Sequence, residues 1–369
     1  MITSPNITGL SESENSFAPH RGKQMDEITK EHQEKTTRQL VMVGSLCLVT
    51  LFFAVFSMGT GSSETLDMKT SMKIMFGIQT PSELQSDIIW RLRLPRVLMA
   101  IIAGTALATA GALMQGCLGN PLVSPLTLGV ASGAALGAAF AIILGFSVFP
   151  KAAIVANAFA FSLLVVAIII QLGSMRSVSA ESYILVGIAI TFISGAIVST
   201  LTYFATDAQL SQLTHWSFGS LSRPTLEDTI WIGAIVLCLI PMGLIFAWDL
   251  NAMSLGGDDF AISTGVDPQS TRRNILILSA LLTSVVISFT GLIGFVGLAA
   301  PHMSRLIIGN DYRKLIPCSA VSGSLLMLFA DTVGRTLFAP VVIPVGIMLS
   351  IIGGPVFMYL LMRHRGGVM

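Results

Sequence analysis

Apolar residues gather into ten runs, at 41–58, 94–117, 125–147, 151–172, 183–204, 228–248, 274–291, 295–309, 315–338 and 343–362. A helix needs roughly 20 apolar residues to cross a bilayer, so each run predicts a membrane span. The eighth is short and carries Pro301 and His302, a pattern that also suits a half-buried helix. An even number of spans puts both termini on one side. Polar stretches separate the runs. Residues 1–40, rich in Ser, Glu, Lys, Thr and His, read as a disordered or loosely helical tail. The first apolar run starts near Val41, so no cleavable secretory signal is expected. In 59–92, Pro81-Ser82-Glu83 reads as a helix start. In 205–227, Asp207 reads as the cap of a short helix through LSQLTHW that breaks at Gly219 and Pro224.

The polar stretch from Asp249 to Arg273 has the most internal order. Gly256-Gly257 breaks the chain. Asp258-Asp259 then precedes FAISTG, with a cap at its start and Gly265 at its stop. Asp267-Pro268 starts a second short helix, with proline at a first-turn position. Two short capped helices within 256–273 make a stiff handle between two spans. The bland alternative, an ordinary solvated loop, has no need of caps.

Composition fixes the solvent. The 369 residues are 53% hydrophobic and 11% charged, with a mean hydropathy of +0.78. A water-soluble surface needs roughly a quarter charged residues, so this chain is built for lipid. A net charge of +1 gives no field for nucleic acid. Cys47, Cys117, Cys238 and Cys318 are scattered without metal-ligand spacing and read as small buried hydrophobes. With the N-terminus placed inside, 13 Lys and Arg fall inside and 8 outside. By the positive-inside rule the handle is then cytoplasmic. Within the spans, Gly129, Gly133 and Gly137 recur every fourth residue, and Gly291, Gly294 and Gly297 every third, spacings that let helices approach closely.

Candidate chemistry is sparse. No G-x-x-x-x-G-K-[ST] is present, so ATP has no cradle in this sequence. Paired mid-span acids, H-E-x-x-H and Ser with His are absent, which argues against an intramembrane enzyme. Arg93 and Arg96 flank Pro95 at the expected start of the second span, where cations oppose the helix macrodipole. Lipid headgroups or partner carboxylates would offset that. Asp331 is the one clear acid deep in a candidate span, with Arg335 one helical turn away. An ion-coupled secondary transporter would want several such groups. His215, Trp216 and Phe218 suit an interfacial aromatic belt, and His302 a hydrogen-bonded helix interior.

Four segments carry a family resemblance: RLPRVLMAIIAGTALATAGALMQGCLGNPLVSPLTLGVASGA at 93–134, LGGDDFAISTGVDPQSTRRN at 255–274, GLIGFVGLAAPHMSRLIIGNDYR at 291–313 and FADTVGRTLFAPVVIPVGIMLSIIGGPVF at 329–357. The chain resembles the FecCD-type permeases of iron-siderophore, haem and cobalamin ABC importers over about residues 41–365. The resemblance implies an all-α, cobalamin-permease-like membrane protein of about ten spans. It divides the chain into a polar cytoplasmic tail, 1–40, and a permease domain, 41–365, with coupling helices at 256–273. It implies a second copy or close paralogue, two cytoplasmic ATPase subunits and an external substrate-binding protein. ATP and Mg²⁺ would sit on the ATPase partners and no cofactor in this chain. Carried over by motif, Gly257, Asp258, Asp259, Phe260, Thr264, Gly265 and Asp267 would contact the ATPase. Arg93, Arg96 and Arg335 would dock the binding protein. Asn120 and Leu122, with Ser179, Glu181 and Ser182, would form the cytoplasmic gate, though Glu181 stands where the family pattern suggests a small hydroxyl. Plain turn chemistry is the alternative for both gate elements. The fifth span with its extension, Tyr183–Phe218, and the tenth span would line a pathway at the dimer axis. The resemblance implies the inner membrane of a bacterium or archaeon, both termini cytoplasmic, and a siderophore ahead of haem or cobalamin as cargo.

Overall fold

A computed structural model describes residues 14–61, 66–147, 149–175 and 179–364. The expectations resting on residues 1–13, Arg176 and Arg365 lie outside the described residues. By packing, Met1–Ser45 form one unit and Leu46–Met369 another. The first contains the polar beginning of a long helix, α1 (Glu14–Gly59), and the second its apolar end.

The second unit continues with α2 (Met68–Met75), α3 (Glu83–Ser86), α4 (Leu94–Cys117), α5 (Val130–Ile143), α6 (Ala153–Met175) and α7 (Ala180–Tyr203). There follow α8 (Asp207–Ser217), α9 (Leu226–Ile245), α10 (Ala247–Ser263), α11 (Pro268–Thr290), α12 (Val296–Ile308), α13 (Tyr312–Thr336) and α14 (Val345–His364). Among the described residues, seven helices are long and apolar enough to cross a membrane. The shorter apolar helices 130–143, 296–308 and 345–359 coincide with the remaining three apolar runs.

α4 is the axis of the packing. It runs antiparallel to α13, with Gly104 against Gly323 and Gly111 against Gly297 at the start of α12. A side chain at either α4 glycine would enter its neighbour's backbone, and that absence is what lets the helices touch. α7 and α9 keep only 17% and 22% of their apolar windows buried, against 78% for the helix that contains α4, so they form the periphery.

Two of the short helices are short for the same reason. After Cys117 the chain turns back into the protein. Pro125 then reaches Gly297, which itself lies against Leu107 midway along α4, and Leu126 reaches Gly294. α5 therefore begins near mid-depth, not at 125 as the apolar run suggested. α12 begins there too, after Phe295, a non-glycine residue at φ +71°. Irregular backbone at this depth is tolerated only where protein covers it. Here Pro125, Leu126 and the 291–295 segment cover one another.

The helix that contains the second span starts earlier than its apolar run. Ser82 caps α3 in a reciprocal capping box with Gln85. A π-helical stretch, Asp87–Arg93, then joins α3 to α4 without a break, giving 35 residues from Glu83 to Cys117. Arg93 and Arg96 thus stand inside a helix, not at its N-terminus, so the macrodipole argument for them does not apply. In α8 the cap is Thr206, boxed with Gln209, and Asp207 is the first helical residue.

Candidate functional site

The handle is made of one broken helix and the start of another. α10 follows α9 with only Phe246 between them and breaks at Gly256-Gly257. Gly257 adopts φ 72°, ψ −161°, a region open essentially to glycine. Replacing Gly257 with Ala should cost roughly 1–3 kcal/mol in strain, read as a lower melting temperature of the purified protein. After the break, Asp258–Ser263 form a short helix closed by Thr264, whose hydroxyl donates to Ala261 O at 2.8 Å, and by Gly265 at φ +87°. Asp267 caps the next helix, accepting from Gln269 N at 3.0 Å. The second of the two expected short helices is not separate: Pro268 opens α11, a continuous span of 23 residues.

Asp258 plays a different part from its neighbours. Its carboxylate accepts from Arg272 Nη1 at 2.8 Å and Nη2 at 2.5 Å, while Arg272 Nε donates to Cys117 O at 2.8 Å. Arg272 is buried, its side chain 5% exposed. One guanidinium therefore ties the handle, the first turn of α11 and the C-terminal end of α4 together. Gly257, Asp259, Phe260, Thr264, Gly265 and Asp267 are exposed, and Asp258 is half-buried. Beyond the break the handle offers Phe260 and Ile262, 42% and 61% exposed, as an apolar tip.

The handle also grips α13. Asn251 accepts from Tyr312 N at 2.8 Å and donates to Asp311 Oδ1 at 2.9 Å. Arg313 donates to both Asp311 oxygens. These bonds, with that of Arg313 first, hold the Asp311 carboxyl down at about 2. Its contribution to stability is thus present above the ordinary carboxylate range and is lost as pH falls toward 2.

At the opposite end lies a buried charge cluster. Asp331, with a fully buried side chain, accepts from Arg96 Nε at 2.8 Å and Arg335 Nε at 3.0 Å. Arg335 also donates to Thr60 O at 2.9 Å and to Ser57 O at 3.1 Å and Oγ at 2.6 Å. Arg93 donates to Met58 O, Gly59 O, Leu66 O and Ser71 Oγ at 2.9–3.3 Å. Arg93 and Arg335 thereby satisfy the carbonyls that the end of α1 leaves free, with positive charge at the negative pole of that helix. The resemblance implied docking of a partner protein by these three arginines, and spacing left an internal pair with Asp331 open for Arg335. Arg93 and Arg335 are each 4% exposed and the Arg96 side chain 11%, because the carboxylate and carbonyls of the protein itself occupy their donors. The exposed cation on this helix is Arg91, paired with Asp87 at 3.2 Å. A cavity of about 410 Å³ opens beside it, bordered by Arg91, Arg93, Arg96 and Arg335.

The two expected gate elements each carry a local hydrogen bond, one in a turn after α4 and the other at the start of α7. Asn120 Oδ1 accepts from Leu122 N at 2.9 Å, leaving Leu122 53% exposed. Ser179 and Ser182 share a hydrogen bond at 3.1 Å at the start of α7, and Glu181 is exposed beside them. Each pair bonds within itself. His302 packs on Phe357 with ring centroids 5.6 Å apart.

Sequence reasoning missed two residues that hold this geometry. Arg272 was counted only as a positive-inside charge. Arg223 donates to Trp216 O at 3.2 Å, Thr290 O at 2.6 Å and His215 O, tying the ends of α8 and α11. Only position hints at either role: both helix C-termini concentrate free carbonyls, and Arg223 follows α8 by six residues in sequence.

Comparison with known proteins identifies the architecture. The profile of the FecCD transport family matches residues 47–363, nearly the whole second unit. The chain belongs to the FecCD transport family. An ABC transporter permease protein of Methanocaldococcus jannaschii is 39% identical over 342 residues, covering 89% of this chain and 96% of that protein. A hemin transport system permease of Yersinia pestis is 37% identical over 332 residues, covering 88% and 96%. A solved structure described as an inward-facing metal-chelate type ABC transporter superposes with a TM-score of 0.76 at 30% identity, over 87% of this chain and 99% of that one. This FecCD chain is therefore a multi-pass membrane permease subunit of ABC-transporter type, with helices and no strands among the described residues, as its apolar runs predicted.

Proposed function

We propose that this permease carries an iron chelate or haem inward across a cytoplasmic membrane, worked through its handle by separate ATPase subunits. The observation that carries the reading is the handle's construction. Asp259, Phe260 and Ile262 are exposed beyond a glycine break, while Asp258 and Arg272 fix the base of the same element to α4 and α11. A rigid exposed tip on a buried anchor moves spans when a partner pushes it. The handle end and both termini then face the cytoplasm, in line with the charge count. The relative from Yersinia pestis is named for hemin and the solved neighbour for metal chelates, and cargo of that class suits a chain with few polar groups at mid-depth. ATP and Mg²⁺ belong to the partners, and a second copy of the chain completes the pathway.

The ends opposite the handle receive a loaded binding protein in this reading. Arg91 beside the 410 Å³ cavity, with the exposed Lys69 and Lys73 of α2, offers accessible positive charge there, while Arg93, Arg96 and Arg335 shape the cavity rim from within. Ion-coupled transport is the weaker reading. Asp331 is fully buried with both carboxylate oxygens held by guanidinium groups, and ion coupling would want several free ionisable groups at this depth.

Replacing Asp259 and Phe260 together with Ala removes the exposed tip and spares the Arg272 anchor. The expected result, in proteoliposomes with the ATPase partner, is hydrolysis that continues while cargo uptake falls about ten-fold or more, on the order of 1.4 kcal/mol of lost coupling. Uptake at the wild-type rate would remove the handle from the mechanism.

A further inference from the structure

A second cavity, about 800 Å³, lies at the handle end between α10 and the turn that joins α12 to α13. Its walls include Gln115, Trp248, Asn251, Arg305, Asp311 and Arg313. The charges in it do not balance. Asp311 and Arg313 cancel, bonded at 2.8 Å. Among the described residues Arg305 bonds to neutral groups, Gln115 Oε1 at 2.5 Å and the Tyr312 hydroxyl at 3.4 Å. Gln115 in turn donates to Leu298 O at 3.4 Å, which orients its amide oxygen toward the guanidinium. A half-buried guanidinium without a counter-charge is an incomplete arrangement, and its planar fork matches a phosphate or carboxylate.

The surroundings of the mouth say which anion fits. Trp248 is 66% exposed, and the Arg313 guanidinium lies over its ring at 4.6 Å. Leu255, in the same wall, is 78% exposed; Ile245, three residues before Trp248 in sequence, and Leu306 and Ile307, which follow Arg305, are 74%, 49% and 43% exposed. An exposed tryptophan, a cation and bare aliphatic side chains at the end of a span form the environment of a membrane interface. A free phosphate would use the guanidinium alone. A phospholipid with an anionic headgroup would use both, with phosphate on Arg305 and acyl chains along the aliphatic frame.

We propose that this cavity is a binding site for the headgroup of an anionic phospholipid, with Arg305 as the phosphate ligand and Trp248 as the wall that the glycerol backbone packs against. The lipid would join α10 to α12 and α13, the base of the handle to the spans behind it. The inference requires a membrane but not the ATPase reading.

The test uses the full chain purified in neutral detergent, with phosphatidylglycerol or phosphatidylcholine added and retained lipid counted by native mass spectrometry. Wild type should keep one phosphatidylglycerol per chain in preference to phosphatidylcholine. Arg305→Gln should weaken that retention about ten-fold, and Arg305→Lys should restore most of it, which separates loss of charge from misfolding. Trp248→Ala should keep the headgroup preference while lowering retention several-fold. Equal retention of the two lipids by wild type would overturn the proposal, as would unchanged phosphatidylglycerol retention in Arg305→Gln. Displacement by millimolar inorganic phosphate would assign the site to a free anion. Loss of ATPase association in Arg305→Gln, with lipid retention unchanged, would assign it to an acidic side chain of that partner. Either of these last results also contradicts the lipid.

Discussion

Asp331→Asn should cost about 3–5 kcal/mol of stability, because it leaves two buried guanidinium groups without their counter-charge. The change keeps the shape of the side chain, so packing is not the cause. Arg96 and Arg335 both lose an ionic acceptor, at 2.8 and 3.0 Å in the folded protein. Arg335 keeps its bonds to Ser57 and Thr60 and would still hold the end of α1. Arg96 has no comparable second set of partners in the cluster, so adding Arg96→Gln to Asp331→Asn should recover part of the loss. The two changes together should then cost less than the sum of each alone. Thermal unfolding in detergent, with the amount of inserted protein as a second readout, measures this. A melting temperature unchanged in Asp331→Asn would show that the cluster is solvated and would return these arginines to the surface.

Arg272→Gln should have the largest effect on transport. It removes the bidentate bond to Asp258, while a shorter side chain also loses Cys117 O. The handle would remain helical beyond Gly257 but would no longer be fixed to α4. Movement of the tip would then be absorbed at the Gly256-Gly257 break. Expected is a fall in uptake of about 10²-fold or more, comparable to a ~3 kcal/mol coupling, with ATPase binding retained because the exposed tip is intact. Arg272→Lys should recover only part, since an ammonium group cannot serve the carboxylate and the carbonyl with the same fork. Uptake near wild type in Arg272→Gln would show that the handle transmits force by another route, through the Thr271 hydroxyl, which donates to Asp249 at 3.3 Å, or the Asn251–Asp311 contact.

Much of this architecture is legible in the sequence. Ten runs of apolar residues become ten apolar helices because the backbone of a span must satisfy itself, and helix is the local way to do so. The glycine break, the Asp267-Pro268 start and the helix start at Pro81-Ser82-Glu83 are local rules that the folded chain obeys. What hydropathy does not show is depth. Pro125–Gly129 lies inside an apolar run and Gly291–Phe295 at the junction of two, yet both are irregular segments meeting at the middle of α4. Nor does a run of apolar residues mark where its helix starts. The π-helical stretch before Leu94 extends the helix outward and turns Arg93 and Arg96 from end charges into interior ones.

Long-range polar partners were the other blind spot. Asp331 and Arg335 are one turn apart, so their pair was foreseeable. Arg96 is 235 residues from Asp331, and Arg272 is 155 from Cys117. Such contacts exist only once α4 has packed against α13 and α11. Arg223 shows the same limit from the other direction: its partners are backbone carbonyls, which carry no side-chain signature at all.

The central claim is that the handle faces the cytoplasm and is covered by an ATPase partner. Ile262→Cys, in a chain whose Cys47 and Cys238 are replaced with Ser, allows a membrane-impermeant maleimide to report on it. The account predicts no labelling in intact right-side-out vesicles, full labelling in inside-out vesicles, and protection in the latter when the ATPase subunits are bound. Labelling from the outer face, or reactivity unchanged by the bound ATPase, would contradict it.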